Sequence, residues 1–280
     1  MKNSIYPCLG IKGKIAEASE FYIQTFGGAK VLQTSDIVIL IELSGQKFML
    51  LNDGPSSSPN PSISFMVMCE TEAETEQYWN KLLDGGKVLM TLDKYDWSPK
   101  YGWIEDKYGV SWQLYTGDKA DTVQKFSPTL MFTGNKAGQA KTAIQDYVQL
   151  FPDSNIQGIL NYKQGEGDSE EFIKHAQFKI KDFIMMAMDS SADHKFGFND
   201  AISLVVSCET QDEIDRYWTY LSSNGGHEVA CGWLTDKYGI SWQIIPEGIV
   251  KLINDPVRGQ RAMNAMMKMK KLIIADLENA

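Results

Sequence analysis

The side chains best placed for chemistry end two nearly identical octapeptides, DKYGVSWQ at 106–113 and DKYGISWQ at 236–243. A glutamine amide donates and accepts hydrogen bonds without carrying charge, so Gln113 and Gln243 can orient a ligand but cannot act as acids or bases. Side chains alternate along a strand, which places each glutamine on a mixed face with Ser and opposite an apolar face that holds Trp. A mixed face of this kind borders either solvent or a sheltered cavity.

Two titratable side chains occupy similar strand-like positions. In FIKHAQFKI, His175 and Gln177 alternate with apolar residues, and Glu42 takes the matching position in VILIEL. Histidine titrates near neutral pH, and a buried carboxylate can be shifted toward it, so both suit general acid–base catalysis. Both also have a structural interpretation, as hydrogen-bonded or solvent-facing residues. The sequence leaves these interpretations open.

Aromatic side chains are concentrated in KVLMTLDKYDWSPKYGW at 87–103, where the second copy of the pattern has only HEVACGW. The extra residues contribute Tyr95, Trp97 and Tyr101. If the insertion folds over a neighbouring cup, it supplies an aromatic wall for a planar or apolar ligand. The alternative is a plain hairpin extension that buries its own aromatic rings.

The octapeptides belong to a larger repeat. ISFMVMCET at 63–71 matches ISLVVSCET at 202–210, and both matches are followed by a Tyr-Trp pair and by Gly-Gly before the octapeptide. Matching segments in a fixed order indicate a tandem duplication. We therefore predict a first domain at 1–118, a second at 126–247 and a helical tail at 248–280, with the helix itself over 256–280.

Periodicity and turn residues place the elements of each copy. Strands are predicted at 5–11, 37–44, 47–52, 63–69, 110–115, 128–133, 173–180, 183–188, 202–208 and 240–245, helices at 14–26, 72–84, 137–151 and 211–223, a loop at 53–62 and a linker at 118–126. The order strand, helix, strands recurs twice in each copy. The fold class is α+β, with two βαβββ modules per domain. Asp106 and Asp236 open turn-like segments, where we expect their carboxylates to bond nearby backbone amides.

Composition narrows the function. The chain has 280 residues and a net charge of -9, and an acidic protein offers no electrostatic footprint for nucleic acid. Four dispersed cysteines form no C-x-x-C pair, and the sequence contains no nucleotide-binding glycine pattern and no G-x-S-x-G elbow. The start lacks a signal peptide pattern and no apolar run is long enough for a membrane span. We expect a cytoplasmic protein with buried, reduced thiols.

These segments resemble one known superfamily. Paired βαβββ modules closed by GWIEDKYGVSWQLY and CGWLTDKYGISWQIIP are similar to the vicinal oxygen chelate superfamily, which includes glyoxalases, bleomycin-resistance proteins and extradiol dioxygenases. AISLVVSCETQDEIDRYWTYL and the tail RGQRAMNAMMKMKKLIIADLE further resemble its PhnB-like branch, often labelled "3-demethylubiquinone-9 3-methyltransferase domain". The resemblance implies curved, cup-like mixed sheets with helices outside. It leaves the activity open, since the scaffold serves enzymes and drug-binding proteins alike.

The resemblance also implies where a divalent metal would sit. Superfamily enzymes hold it with a His early in the first strand and a Glu on the last strand. The Glu position corresponds to Gln113 and Gln243, and the His position falls near Pro7 and Pro128. Losing imidazole and carboxylate together removes the ligands such metals prefer, so we expect no metal. The sequence has no glycine-rich turn for a methyl donor either, and we expect no cofactor.

The leading hypothesis is a PhnB-like protein that binds a small molecule in a metal-free cup. The candidate cup residues are Glu42, Trp97, Tyr101, Gln113, Tyr115, His175, Gln177 and Gln243. One alternative is a metal-dependent lyase, isomerase or dioxygenase, with Glu42 and His175 among its ligands. Another is an assembly role with degenerate cups. The expected partners are a small-molecule ligand and possibly a second copy in a homodimer, with neither nucleic acid nor membrane.

Overall fold

Four copies of one βαβββ module make up most of the chain. The structure is a computed structural model that describes residues 4–52, 56–118 and 124–280. The predicted loop at 53–62 and the predicted linker at 118–126 lie partly outside these residues. Every module runs strand, helix and three strands, as the sequence predicts.

The modules have the following bounds. The first module contains β1 (Ile5–Gly10), α1 (Ile15–Phe26), β2 (Ala29–Thr34), β3 (Val38–Leu43) and β4 (Gln46–Leu51). The second contains β5 (Ile63–Cys69), α2 (Glu72–Leu82), β6 (Lys87–Tyr95), β7 (Ser98–Glu105) and β8 (Ser111–Thr116). The third contains β9 (Phe126–Phe132), α3 (Ala140–Leu150), β10 (Asn155–Asn161), β11 (Ile173–Ile180) and β12 (Phe183–Asp189). The fourth contains β13 (Ile202–Cys208), α4 (Gln211–Leu221), β14 (His227–Glu228), β15 (Trp233–Thr235) and β16 (Ser241–Pro246).

The strands β2 and β10 were not predicted from the sequence. Each lies at the edge of its sheet and is exposed along most of its length. An edge strand with solvent on both faces needs no alternation of apolar and polar residues, so AKVLQT and NIQGILN carry little periodic signal. No bounds were predicted for β6, β7, β14 and β15. The strands and helices that were given bounds before the tail are confirmed to within a few residues.

The strands form two mixed sheets of eight strands. Sheet I has the order β14-β15-β16-β13-β1-β4-β3-β2, and sheet II has the order β10-β11-β12-β9-β5-β8-β7-β6. Sheet II therefore joins the second module of the first sequence copy to the first module of the next copy. The chain divides into two compact units, Pro7–Ile202 and Ser203–Ala280, with Ser4–Tyr6 grouped with the second. Sheet II lies wholly within the first unit.

An aromatic core packs on the helix side of sheet II. Trp112 is fully buried there, with its ring 4.8 Å from that of Phe26 on α1 and 5.2 Å from that of Phe65 on β5. Phe48 and Phe126 complete the cluster, 5.4 Å apart. Tilted and edge-on ring pairs at these separations are favourable beyond the area they bury. The predicted core role of the octapeptide tryptophan is confirmed.

The octapeptide aspartate ties this core to its turn. Asp106 Oδ1 accepts hydrogen bonds from the backbone N–H groups of Tyr108 and Val110 at 2.8 and 3.1 Å. Its Oδ2 accepts from Trp112 Nε1 at 2.8 Å and from the Tyr22 hydroxyl at 3.0 Å. Burial raises the pKa of Asp106 to about 6, although these donors act to lower it. The carboxylate is therefore ionised at neutral pH and fully bonded.

The second octapeptide repeats this arrangement. Asp236 accepts from the N–H groups of Tyr238 and Ile240 at 2.9 and 3.1 Å and from Trp242 Nε1 at 2.8 Å. The structural role predicted for both aspartates is confirmed. A carboxylate bonded to turn amides and to an indole requires the same residue types at the same spacing, which explains why the octapeptide is retained in both copies.

The shared CET segments are helix starts. Thr71 accepts from the Glu74 N–H at 3.1 Å, and Glu74 accepts in return from the Glu70 N–H at 2.8 Å. Thr210 and Glu213 do the same at the start of α4. These reciprocal bonds are capping boxes, which satisfy backbone donors that a helix start leaves free.

The predicted single helix over 256–280 is wrong. The tail instead forms three short helices, α5 (Ile249–Ile253), α6 (Gly259–Met266) and α7 (Ile274–Glu278). Between α6 and α7 the backbone carbonyls of Met269 and Lys270 accept from the N–H groups of Cys231 and Gly232, each at 2.8 Å. This pairing requires extended chain where the apolar pattern favours helix. In the described part of the chain, every helix is too short or too polar to cross a bilayer.

Asp106→Asn should destabilise the protein by about 2 kcal/mol, because the new NH₂ group faces the Trp112 and Tyr22 donors and leaves buried polar groups unsatisfied. Urea unfolding followed by circular dichroism measures the loss. Asp84→Asn at an exposed position is the matched control and should be neutral. Equal stability of both variants would contradict the role assigned to Asp106.

Candidate functional site

The face of sheet II opposite the aromatic core is the candidate site, and we call it the cup face. Since side chains alternate along each strand, the residues that flank Trp112 and Phe65 point away from the helices. Strand register aligns these residues across the sheet: Ser111, Gln113 and Tyr115 of β8, Ser64, Met66 and Met68 of β5, Ser127 and Thr129 of β9, and Met186 of β12.

Gln113 lies at the centre of a polar network on this face. Its Oε1 accepts from the Tyr101 hydroxyl at 2.7 Å, and its Nε2 donates to Ser64 Oγ at 2.8 Å. All three side chains are buried. Burial raises the pKa of Tyr101, which keeps its hydroxyl protonated as a donor. Gln113 is therefore held in one orientation as part of the floor of the cup.

Methionine and tyrosine side chains cover this network. Met66, Met186 and Tyr101 form a buried group that is contacted by Met68, Met90, Tyr95 and Tyr115, and we call this set the Met–Tyr cluster. The Met–Tyr cluster contains residues of both the second and the third module, which meet where β5 pairs with β9. Methionine is unbranched and adaptable, and its thioether packs well on aromatic rings, so this interior can change shape without losing contacts.

The β6–β7 hairpin brings the inserted aromatic residues to the cup. Trp97 at its tip stacks on Tyr95 with ring centroids 4.9 Å apart, and both rings lie edge-on to Tyr101. Tyr115 donates a hydrogen bond to the Trp97 carbonyl at 2.9 Å. The rings pack on one another, which fits a hairpin that buries its own aromatic residues. Tyr95 also packs on the Met–Tyr cluster, which fits a hairpin that covers the cup. Trp97 stays 51% exposed.

Four serine and threonine hydroxyls lie on the cup face of β5, β8 and β9, and three of them are bonded. Ser64 accepts from Gln113, Ser111 accepts from Trp103 Nε1 at 2.6 Å, and Ser127 accepts from Gln124 Nε2 at 3.2 Å. The fourth belongs to Thr129, which is buried and whose Oγ1 has no hydrogen-bond partner among the residues that the structure describes. Sequence reasoning missed Thr129, because a threonine in an apolar strand gives no sign of whether its hydroxyl is satisfied.

His175 and Gln177 lie on the cup face of β11, on the other half of sheet II. Gln177 pairs across the strands with Met186, and its Nε2 donates to Gln157 at 2.9 Å near the sheet edge. His175 lies opposite Leu160 of β10. Burial lowers the pKa of His175, so its imidazole is neutral at neutral pH. The predicted alternation of this strand is confirmed.

Glu42 and Gln243 lie in sheet I and do not share this site. Glu42 forms an ion pair with Lys30 across β2 and β3, with 3.3 Å between Nζ and Oε1. Gln243 donates to Ser203 at 3.0 Å, which repeats the Gln113–Ser64 bond. The residue two before Trp233 is Cys231, where the first copy has Tyr101. The tyrosine bond to the glutamine oxygen is therefore specific to the first copy.

The residues of the cup do not suit the divalent metal that the resemblance implies. Pro128, expected near the His position, lies opposite Phe65 on the helix face, and the neighbouring cup positions hold Ser127 and Thr129. In the third module, Met186 on β12 pairs with Thr129 on β9 in the same way that Gln113 on β8 pairs with Met66 on β5 in the second module. Met186 therefore takes the position in the third module that Gln113 takes in the second. These positions therefore hold hydroxyl, amide and thioether groups in place of the imidazole and carboxylate donors that hard or borderline divalent ions favour.

A separate cavity of about 340 Å³ lies in the second unit, beside the C-terminal helices. Its lining combines Ile249, Leu252 and Leu277 with charged residues of both signs. Asp255 at its edge accepts from the N–H groups of Val257 and Arg258, which fixes the turn into α6. The predicted site residues lie elsewhere.

Comparison with known families gives the class of protein that this fold defines. The model of the family described as 3-demethylubiquinone-9 3-methyltransferase matches residues 3–115 and 124–245. The chain belongs to this family, with two tandem copies of its domain. A comparison with curated proteins returned no match.

Similar solved structures show the fold. A putative 3-demethylubiquinone-9 3-methyltransferase, a PhnB protein from Bacillus cereus, is 35% identical over 40% of this chain and 98% of its own, with a TM-score of 0.39. Glyoxalase I from Zea mays is 10% identical over 85% of this chain and 92% of its own, with a TM-score of 0.58. Two tandem domains of this family thus have the fold that is seen in glyoxalase I.

His175 should make stability depend on pH. Its folded pKa is lowered from the usual 6.5, so the unfolded chain takes up a proton first as the pH falls through that value, and the folded state loses stability. Urea unfolding at pH 7.5 and 5.5 should show a larger loss for the wild type than for His175→Gln.

Comparing the wild type with His175→Gln isolates the effect of His175. Asp106, whose pKa is raised, stabilises both proteins as the pH falls, so its contribution cancels in the comparison. His227→Gln, at an exposed strand position, should behave like the wild type. The same pH dependence in wild type and His175→Gln would show that the histidine is not buried as described.

Proposed function

We propose that the protein binds a small, largely apolar molecule at the cup face of sheet II and that this binding needs no metal. The observation that carries the proposal is the Met–Tyr cluster beneath a half-exposed tryptophan. Binding sites for small molecules are mostly lined by apolar and aromatic side chains with a few fixed polar groups, and the Gln113–Ser64–Tyr101 network supplies such groups here.

A ligand would enter by displacing methionine side chains. Met66 and Met186 fill the cup in the free protein, and their unbranched chains can move between rotamers at low cost. Trp97 has a large apolar ring exposed to solvent at the hairpin tip, where closure over a ligand would bury it. The same fold carries catalysis in glyoxalase I, so the position of the cup suits a ligand site by analogy.

The metal-dependent alternative finds less support. Its two candidate ligands, Glu42 and His175, lie in different sheets, and Glu42 is paired with Lys30. The methyltransferase named in the family description would need a methyl donor site, and the sequence has no glycine-rich turn for one. A role in assembly alone leaves the buried polar network of the cup without a purpose, since an apolar floor would be more stable.

Nile red, an uncharged dye that brightens in apolar surroundings, tests the proposal. The wild type should enhance its emission saturably, and Trp97→Ala should weaken binding about five-fold because a stacking surface is lost. Tyr220→Ala on α4 removes an aromatic ring that is also partly exposed and should leave binding unchanged. Melting temperature measured with Mn²⁺, Ni²⁺ or Zn²⁺ alone should stay constant.

Two results would contradict the proposal. Dye binding that is unaffected by Trp97→Ala would place the site elsewhere on the protein. A rise in melting temperature with one divalent ion that disappears in Gln113→Ala would favour the metal-dependent enzyme.

A further inference from the structure

We infer that the cup selects uncharged ligands with a carbonyl or similar acceptor oxygen, and that Thr129 is the residue that recognises this oxygen. This inference rests on the proposed function and specifies its ligand class. The observation behind it is the unsatisfied hydroxyl of Thr129, whose side chain is 2% exposed.

An unsatisfied hydroxyl in this place is unusual. Buried polar groups almost always find a partner, and a buried one without a partner destabilises the folded protein. Valine has nearly the same shape and would fill the position without that cost. The other three hydroxyls of the cup face are bonded within the protein. A hydroxyl kept without a partner is explained if the ligand supplies the missing acceptor.

The strand register places the Thr129 side chain on the cup face. In the strand register it lies between Ser64 on β5 and Met186 on β12. Met186 belongs to the Met–Tyr cluster, and its displacement would bring a ligand beside Thr129. The hydroxyl can rotate its hydrogen toward an acceptor that arrives there. The Gln113 amide, held by Tyr101 and Ser64, has no such freedom.

Charge on the ligand is disfavoured by the same neighbours. The residues around Thr129 in the register, Ser64, Ser127 and Met186, are uncharged. His175, on the far half of the sheet, is neutral at physiological pH. An ionised ligand would lose its hydration without meeting an opposite charge, which is costly in a buried site. The aromatic rings of the hairpin favour a flat body.

Three naphthalenes of nearly equal shape test this class. 2-Acetylnaphthalene offers a ketone oxygen, 2-isopropenylnaphthalene replaces that oxygen with carbon, and 2-naphthoate carries a negative charge. Competition with Nile red should rank the ketone about ten-fold above both others, which corresponds to about 1.4 kcal/mol. In Thr129→Val the ketone should lose this advantage while the hydrocarbon binds as before.

Controls separate recognition from stability. Thr129→Ser retains the hydroxyl and should retain the preference for the ketone. Free Thr129→Val should melt at a temperature equal to or higher than the wild type, which confirms that the variant folds. Nile red binding with no preference among the naphthalenes, or a preference that survives Thr129→Val, overturns this inference alone. Failure of Nile red and all three naphthalenes to bind overturns the proposed function as well.

Discussion

The buried carboxylate at the start of each octapeptide is the constraint on which the rest of the structure depends. Asp106 and Asp236 bond the amides of their own turns and the indole of the tryptophan six residues later. That bond fixes the tryptophan on the helix side of the sheet. Because a strand has a period of two, the following glutamine must then face the cup. One interaction therefore decides both where the core packs and which residues can meet a ligand.

The two sequence copies share these turn and helix-start interactions and differ in the strands between the helix and the octapeptide. In the first copy β6 and β7 form a long hairpin whose tyrosines and tryptophan reach the cup. In the second copy β14 and β15 are short, and the tail between α6 and α7 supplies carbonyl acceptors to Cys231 and Gly232. Duplication preserved the threonine caps and the turn aspartates, which the second and fourth modules share. The residues that meet a ligand were free to diverge.

The donor groups of the cup differ from those that divalent ions favour. Divalent ions need charged or imidazole donors, and the corresponding positions in sheet II hold an amide, hydroxyls and a thioether. Such groups suit an apolar ligand with few polar contacts. Methionine has a further effect, since it fills the cup when no ligand is present and avoids an empty cavity that would destabilise the core. The similarity to glyoxalase I is a similarity of fold.

The sequence alone determined the repeat, the module order, the buried tryptophans and the roles of the aspartates, because these depend on local spacing and on alternation within one strand. It did not reveal β2 and β10, whose solvent-exposed faces leave no periodic pattern. It also did not reveal the broken tail, whose segment at Met269 and Lys270 bonds the turn before β15, a long-range contact.

Only the tertiary structure decided that sheet II combines modules from different copies, and therefore that His175 shares a face with Gln113 while Glu42 and Gln243 do not. Strand pairing between modules depends on long-range packing, which no local pattern records. The unsatisfied hydroxyl of Thr129 is a property of the same kind, since whether a buried group has a partner is set by the surrounding strands.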